Sequence, residues 1–430
     1  MALKLPENLI IDDEFQKAYD LMEKSQKHIY ITGKAGTGKS TLLTYFREKT
    51  TKNFITLAPT GIAAVNIDGA TIHSFFRFAP QLVNEKSIIK DTKRKNLFKK
   101  LETIIIDEIS MVRADILDGI DKSLRINKEN NLPFGGVQMV FFGDLYQLPP
   151  VVIGKDQIDY FEQRFGGIYF FNAKVFQEID FEYIELKNIF RQKDDIFKDI
   201  LNNVREKTLS YKDLSLLNQR LHSKNPNTKS NLNITLSATN KVADFINRQK
   251  IDQLETDEYL YEAIVDGKFE RSAYPTEENL VLKEGAQIMM LKNDSSKRWA
   301  NGTLGVITKL SDVGIQVEIN GKDHTVTPEV WEVIEFQYNQ EENKIEEQVI
   351  GSFTQYPIRL AWAITIHKSQ GQTFDNIIID LGYGAFTHGQ TYVALSRCTT
   401  LEGIVLKKPI RHQDIILDKK IVDFIENIKN

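Results

Sequence analysis

The segment from Gly33 to Ser40 reads GKAGTGKS and matches the pattern G-x-x-x-x-G-K-[S/T] of a phosphate-binding loop. Its glycines allow backbone N–H groups to converge on phosphate oxygens, and the helix expected after it adds positive potential. We expect the Lys39 ammonium to contact the β- and γ-phosphates of ATP and the Ser40 hydroxyl to bind Mg²⁺. The predicted nucleotide-binding residues of this loop are Gly33, Ala35, Gly36, Thr37, Gly38, Lys39, Ser40 and Thr41.

Two adjacent carboxylates follow a run of three isoleucines at 104–106. Asp107, at the end of this apolar stretch, is suited to the magnesium shell, directly or through water. Glu108 beside it is suited to a general base that orients the attacking water. Alone, the acidic pair also fits a helix cap; together with the phosphate loop it indicates a site of nucleotide hydrolysis.

The elements that position these residues are predicted to be buried strands. Apolar stretches at 29–31, 55–58, 104–106 and 139–142 alternate with segments of helical spacing. Such alternation is typical of a parallel sheet covered by helices on both faces, and its sites lie beyond the carboxyl ends of the strands. The phosphate loop and the carboxylates both occupy such positions.

A second α/β pattern is predicted to begin near Tyr183. Its predicted strands are 183–186, 234–237, 376–380 and 403–406, and its later helices are 359–369 and 390–397. Residues 254–356 interrupt it with short alternating strands, and Asn320-Gly321 is a strong hairpin signal. We interpret this interruption as a small antiparallel barrel inserted in the second domain.

Composition sets broad limits on the class of protein. The 430 residues are 41% hydrophobic and 27% charged, which is typical of globular proteins and suggests about three domains. The net charge of −4 neither indicates nor excludes nucleic-acid binding. A single cysteine excludes an intrachain disulfide, and no zinc-ligand spacing or membrane-spanning run is visible. Early acidic residues argue against a leader, so we expect a cytoplasmic protein without a membrane partner.

Further stretches resemble the named motifs of superfamily-one helicases. They are 58–64 with 71–75 for motif Ia, 141–150 for motif III, 190–192 for motif IV, 365–374 for motif V and 392–399 for motif VI. The stretch 107–125 resembles the signature element of the petite-integration-frequency (PIF-type) DNA helicases. Because these resemblances occur in the family's order from about residue 28 to residue 406, the chain resembles that family over nearly its whole length.

The resemblance implies an α/β protein with two tandem RecA-like P-loop domains and an inserted SH3-like β-barrel. The implied domains are 1–182, with a small wedge-bearing subdomain at about 61–80, then 183–253 with 357–430, and the insertion 254–356. It also implies an ATP- and Mg²⁺-dependent 5′-to-3′ DNA helicase. The implied substrates are single-stranded DNA, forked duplexes, RNA–DNA hybrids and G-quadruplexes, with roles in DNA repair, recombination and telomere maintenance.

The resemblance also assigns roles to residues around the nucleotide. Those residues are Gln16 at the adenine edge, Gln147 as a γ-phosphate sensor, Arg191 and Arg397 as arginine fingers, and Gly371 and Gln372 of motif V. Fingers that reach across from the second domain would couple hydrolysis to domain closure.

The DNA contacts implied by motifs Ia and V are sequence-independent. They are Thr60, His73, Ser74, Phe75, His367, Lys368 and Ser369. Hydroxyls, imidazoles and a lysine bind phosphates without reading bases, which suits a motor. For Phe75 and its neighbours Phe76 and Phe78, two alternatives stay open: a base-stacking or strand-separating surface, and core packing.

Three other functions share part of this pattern. A RecD-type helicase subunit of a nuclease complex shares the motifs but normally lacks the 107–125 element. A nucleotide-switched module would grip DNA without translocating, and a small-molecule kinase would lack motifs V and VI. We expect a DNA helicase that is monomeric in solution.

Overall fold

The computed structural model describes residues 5, 9, 11–79, 81–188, 194–223, 232–311 and 314–429. The described residues form two parallel sheets, each with helices packed on it, and a group of antiparallel strands that interrupts the second sheet in sequence, after the first of its four strands. No helix in these ranges is long and apolar enough to cross a membrane.

The first sheet contains six strands, all paired in parallel, in the order β3-β2-β4-β5-β1-β6. They are β1 (His28–Gly33), β2 (Phe54–Ala58), β3 (Ala70–Thr71), β4 (Thr103–Ile106), β5 (Gln138–Phe142) and β6 (Phe181–Leu186). Strands β4 and β5 are buried at every residue, since both faces of the sheet are covered. Their carboxyl ends therefore meet at one edge, where the phosphate loop and the two carboxylates emerge.

Seven helices belong to the same part of the chain. They are α1 (Asp13–Lys24), α2 (Lys39–Lys49), α3 (Gly61–Asn66), α4 (Ile72–Phe76), α5 (Lys95–Lys100), α6 (Ala114–Lys128) and α7 (Lys155–Phe165). Asp12 caps α1 by accepting a hydrogen bond of 2.8 Å from the Phe15 N–H. Gly38 precedes α2 with a φ of 88°, a left-handed conformation that favours glycine.

The second sheet has four parallel strands in the order β18-β7-β19-β20. Before the insertion come α8 (Asp195–Glu206), α9 (Tyr211–Asn218), β7 (Ile234–Ser237) and α10 (Asn240–Asp252). The inserted strands follow, and their bounds are β8 (Glu258–Glu262), β9 (Ile264–Gly267), β10 (Asn279–Lys283), β11 (Gln287–Met290), β12 (Leu304–Ser311), β13 (Gly314–Ile319), β14 (Lys322–Val326), β15 (Glu329–Asn339), β16 (Lys344–Gln355) and β17 (Ile358–Leu360). The chain then completes the second sheet and ends with β18 (Ala363–Thr365), β19 (Ile377–Asp380), α11 (Gln390–Leu395), β20 (Ile404–Leu406) and α12 (Lys419–Lys429).

The inserted strands are antiparallel and divide into three sheets. Their orders are β14-β13-β12-β11-β17, β15-β16-β9 and β10-β8. The predicted hairpin turn at Asn320-Gly321 joins β13 to β14, and both turn residues have positive φ. The strand-rich insertion is therefore confirmed, while its description as an SH3-like barrel stays a prediction.

One predicted domain boundary and one predicted helix were wrong. Residues 183–186 belong to β6, which pairs with β1 in the first sheet, so the second α/β unit begins after this strand. Residues 359–369 are not a helix: Ile358–Leu360 pairs with β11 of the insertion, and Ala363–Thr365 pairs with β7 of the second sheet. A short apolar run does not distinguish a buried strand from a helix by spacing alone, and tertiary pairing decided the outcome.

The hairpin formed by β15 and β16 packs against the first sheet's helices. Phe336 is buried in the core of the first domain, where its ring lies 6.1 Å from that of Phe75. Arg47 of α2 forms an ion pair of 3.0 Å with Glu347 of the hairpin. The insertion thus contacts the first domain, although it is covalently part of the second.

Candidate nucleotide and DNA site

The phosphate loop connects β1 to α2 at the carboxyl edge of the first sheet. Gly36 and Gly38 have φ values of 83° and 88°. The Lys39 ammonium donates to the backbone carbonyls of Gly33 at 2.6 Å and Lys34 at 3.2 Å. Burial lowers the pKa of Lys39, and the carboxylates of Asp144, Glu108 and Asp107 oppose this shift. The loop therefore presents one ammonium group among three acids.

The two carboxylates after β4 lie at the same edge and are half-buried. Asp107 Oδ1 accepts a hydrogen bond of 2.9 Å from the Glu108 N–H, and Glu108 has a left-handed φ of 51°. Burial, together with the neighbouring Asp107 charge, raises the pKa of Glu108 to about 7. Such a carboxylate can accept a proton near neutral pH, as a general base requires.

Motif III places Asp144 and Gln147 just beyond the end of β5, and both are buried. The Gln147 backbone N–H donates to the Asp144 carbonyl at 2.9 Å, and its Nε2 donates to Asp144 Oδ2 at 3.4 Å. Burial opposes ionisation of Asp144, but Arg205 and Lys39 outweigh it and lower its pKa. The side chain of Gln147 is thus held by a charged carboxylate.

The second domain contributes two further groups to this edge. Arg397, which is 1% exposed, follows α11 and donates to the carbonyl of Val393 at 2.9 Å and the hydroxyl of Ser396 at 2.9 Å. Its charge lies close enough to lower the pKa of Glu108 against the effect of burial. Tyr392 of α11 accepts a hydrogen bond of 3.2 Å from the Ala35 N–H of the phosphate loop. The predicted finger Arg191 lies outside the described residues.

A cleft of about 1640 Å³ is lined by residues of this site and by three of the seven predicted DNA contacts. The predicted site residues that line it are Ser40, Thr60, Asp107, Glu108, His367, Lys368, Gly371 and Gln372. Arg298 and Trp331 of the insertion also line it. One continuous cleft therefore contains residues of both α/β domains and of the inserted strands.

The predicted DNA contacts differ in exposure. Thr60, Ser74 and Lys368 are exposed, whereas His73 and His367 are half-buried, and burial lowers the pKa of both histidines. The Thr60 hydroxyl oxygen accepts a hydrogen bond of 3.3 Å from the Ala63 N–H and so caps α3. A neutral imidazole and a hydroxyl remain able to hydrogen-bond a phosphate.

Two predicted DNA contacts have buried side chains. Phe75 is 3% exposed and packs against Phe98, with ring centroids 5.8 Å apart, and against Phe336. Its ring has no exposed face for a base in this structure, which is the core-packing alternative, and its assignment as a DNA contact stays a prediction. Ser369 is fully buried, and its hydroxyl donates to the Ile366 carbonyl at 2.8 Å.

Gln16 lies on the exposed face of α1, where its Nε2 donates to Asp20 Oδ1 at 3.0 Å. It is not among the residues that line the cleft. Its assignment to the adenine edge stays a prediction.

Arg205 was not predicted from the sequence, yet it is buried at this site. Its Nη2 donates to Asp144 Oδ1 at 3.1 Å, and its guanidinium lies 3.9 Å from the centre of the Tyr146 ring. A signal was present: Phe197, Leu201 and Arg205 lie four residues apart on one face of α8, so the arginine continues an apolar stripe.

Comparisons with known proteins give matches along most of the chain. A family model described as PIF1-like helicase matches residues 10–214, and one described as DNA helicase Pif1, 2B domain, matches residues 271–310. The ATP-dependent DNA helicase Pif1 of Bdellovibrio bacteriovorus is 32% identical, over 97% of this chain and 92% of that protein.

Two solved structures of Bacteroides sp. Pif1 are similar to different degrees. The complex with ADP-AlF4 has a TM-score of 0.90 at 41% identity and covers 98% of each chain. The form bound to ssDNA has a TM-score of 0.72 at 42% identity, over 98% of this chain and 97% of that chain. At nearly equal identity, the ssDNA-bound form is therefore less similar in structure to this chain than the complex with ADP-AlF4 is.

Proposed function

The chain belongs to the PIF1-like helicase family of ATP-dependent DNA helicases, and we propose that it moves 5′ to 3′ along single-stranded DNA and separates duplex strands. One observation carries the proposal: the cleft that contains Ser40 and Glu108 also contains Thr60, His367 and Lys368. Nucleotide binding and hydrolysis would therefore take place next to the residues that we propose to bind the DNA strand.

The residues at the end of β4 and after the phosphate loop fit a magnesium–nucleotide complex. Ser40 and Asp107 offer the hydroxyl and carboxylate oxygens that Mg²⁺ prefers, and both line the cleft. When bound, Mg²⁺ would neutralise charge on the phosphates. Glu108 orients and deprotonates the attacking water, and Lys39 leaves its backbone carbonyls to bind the phosphates. Gln147 reports the γ-phosphate.

Domain closure is the step that links hydrolysis to movement. Arg397 lies in the second domain and its charge already acts on Glu108 of the first, which supports a role as an arginine finger. We propose Arg191 as a second finger by its motif. Thr60 on the first domain and Lys368 on the second then grip DNA alternately as the domains open and close.

The domain limits that we propose follow the sheets. Described residues 11–188 form the first RecA-like domain, and the wedge-bearing subdomain near 61–80 lies within it. Described residues 194–223, 232–253 and 361–429 form the second, and 254–311 with 314–360 form the insertion. Forked duplexes, RNA–DNA hybrids and G-quadruplexes are the proposed substrates, and the proposed solution state is a monomer.

DNA binding is proposed to change the arrangement of these parts. The chain's structure is more similar to Bacteroides Pif1 in complex with ADP-AlF4 than to the form bound to ssDNA, at nearly the same identity. This difference supports a change in arrangement on DNA binding, and the contact that we propose to open is the one between the β15–β16 hairpin and the first domain.

ATP hydrolysis measured with and without single-stranded DNA tests the proposal. We expect hydrolysis that DNA stimulates, and its loss in Lys39→Ala with retained DNA binding. Lys49→Ala, on the exposed face of the same helix, is the matched control. Hydrolysis retained in Lys39→Ala would refute the nucleotide site. Hydrolysis without strand separation would favour the nucleotide-switched binding module instead.

A further inference from the structure

The segment from Asp144 to Gln147 belongs to the first domain, but groups of the second domain surround it. Arg205 of α8 donates to Asp144 Oδ1 at 3.1 Å. The His388 ring Nε2 lies 2.8 Å from the Leu145 carbonyl oxygen. A Cβ added at Gly389 would lie 2.4 Å from the Gln147 carbonyl oxygen, so only glycine fits there without displacement. The second domain therefore contacts this segment at Asp144, Leu145 and Gln147.

The Asp144 carboxylate accepts hydrogen bonds from both domains. Its Oδ1 accepts from the Tyr146 N–H at 3.1 Å as well as from Arg205, and its Oδ2 accepts from Gln147 Nε2 at 3.4 Å. One carboxylate thus links an arginine of the second domain to the side chain that would sense the γ-phosphate. Lys39 of the phosphate loop also interacts with its charge.

The Arg205–Asp144 pair is shielded from water, since the two side chains are 4% and 0% exposed. An ion pair of this kind is weak evidence for stability, because desolvation offsets much of the attraction. Replacing only one of the two residues leaves the other charge buried without its partner, which destabilises a protein far more than replacing both does. Tyr146 fixes the guanidinium from its face at 3.9 Å and packs against the cores of both domains. The pair is therefore better suited to orienting the side chains of motif III than to stabilising the fold.

We infer that Arg205 is a positioning residue of the nucleotide site. It holds the Asp144 carboxylate, and through it Gln147, in the orientation that faces the γ-phosphate when the two domains are together. When the domains separate, Arg205 leaves and Gln147 loses this constraint. The inference rests on the proposed function and extends it, since it makes γ-phosphate sensing depend on closure through a residue other than the arginine fingers.

The test is steady-state ATP hydrolysis with saturating single-stranded DNA for Arg205→Gln, Gln147→Ala and the double variant. We expect Arg205→Gln to lower kcat by roughly tenfold or more, with KM for ATP changed by less than about threefold. In the Gln147→Ala background, Arg205→Gln should add little, because both act through the same side chain. Equal and independent losses in the two backgrounds would overturn the inference.

Arg205→Lys and Asp144→Asn/Arg205→Met keep the inference testable if Arg205→Gln folds poorly. Lysine retains the charge and should restore part of kcat. Asp144→Asn/Arg205→Met removes both charges, so no unpaired buried charge remains, yet its kcat should stay low. A double variant with wild-type kcat would show that the pair only stabilises the fold and would overturn the inference.

Arg248→Gln is the matched control, because Arg248 lies on the exposed face of α10 with 82% of its side chain accessible. It should hydrolyse ATP as the wild type does. The two proposals fail separately in this design. A wild-type protein without DNA-stimulated hydrolysis contradicts the proposed function, whereas an active wild type with an equally active Arg205→Gln contradicts only the positioning role.

Discussion

Asp107 and Glu108 are adjacent at the end of β4, yet their surroundings suit them to different tasks. Asp107 is tied to the backbone through the Glu108 N–H and lines the cleft with Ser40. Burial raises the pKa of both carboxyl groups, and that of Glu108 reaches about 7, which suits a proton acceptor. The pair therefore divides into a metal ligand and a base in our proposal.

Glu108→Gln tests this division of roles, because it replaces one carboxylate oxygen with an amide nitrogen. The amide keeps the size of the side chain and cannot take a proton, so kcat for ATP hydrolysis should fall by about 100-fold or more. Binding of ATP and of single-stranded DNA should persist, as measured by fluorescence titration. Loss of ATP binding with the same substitution would instead assign Glu108 to the binding of nucleotide and metal.

The residues of the phosphate loop and of motif III were predictable because their chemistry depends on local spacing. Arg205 was not, because its partner Asp144 lies 61 residues away in sequence and in another domain. Phe75 shows a second limit of local spacing. Its motif suggested DNA, but its ring is buried against Phe98 of α5 and against Phe336 of the inserted hairpin, whose position no local pattern encodes.

At the scale of elements, α4 is a five-residue helix held by its apolar side chains. Phe75→Ala should lower the unfolding free energy of the first domain by about 3 kcal/mol, the usual range for a buried phenylalanine. Urea unfolding measures this, with the half-buried Phe78→Ala as a milder comparison. Unchanged stability together with lost DNA binding would contradict the packing role and support Phe75 as a DNA contact.

Strands were predicted well where both faces of a sheet bury them, as in β4 and β5. The errors occurred where a strand changes sheet. Phe181–Leu186 completes the first sheet although helices of the second unit follow it, and Ile358–Leu360 belongs to the insertion. Sheet membership depends on long-range pairing, which apolar spacing does not specify.

At the scale of the whole molecule, the β15–β16 hairpin bridges the insertion and the first domain. Dyes on cysteines placed at Lys99 and Glu342, both exposed, would report this contact by energy transfer, and the buried Cys398 should stay unlabelled. Transfer should be high without DNA, since Lys100 donates to Asn343 at 2.8 Å. It should fall when single-stranded DNA binds. Unchanged transfer at saturating DNA would contradict the proposed rearrangement.

Directional strand separation tests the account as a whole. Two partial duplexes, one with a 5′ single-stranded tail and one with a 3′ tail, are incubated with the protein, ATP and Mg²⁺, and release of the labelled strand is followed. Our account predicts unwinding of the 5′-tailed duplex alone, abolished by Lys39→Ala and retained by Lys49→Ala. Unwinding from the 3′ tail, or of neither duplex while DNA-stimulated hydrolysis persists, would contradict it.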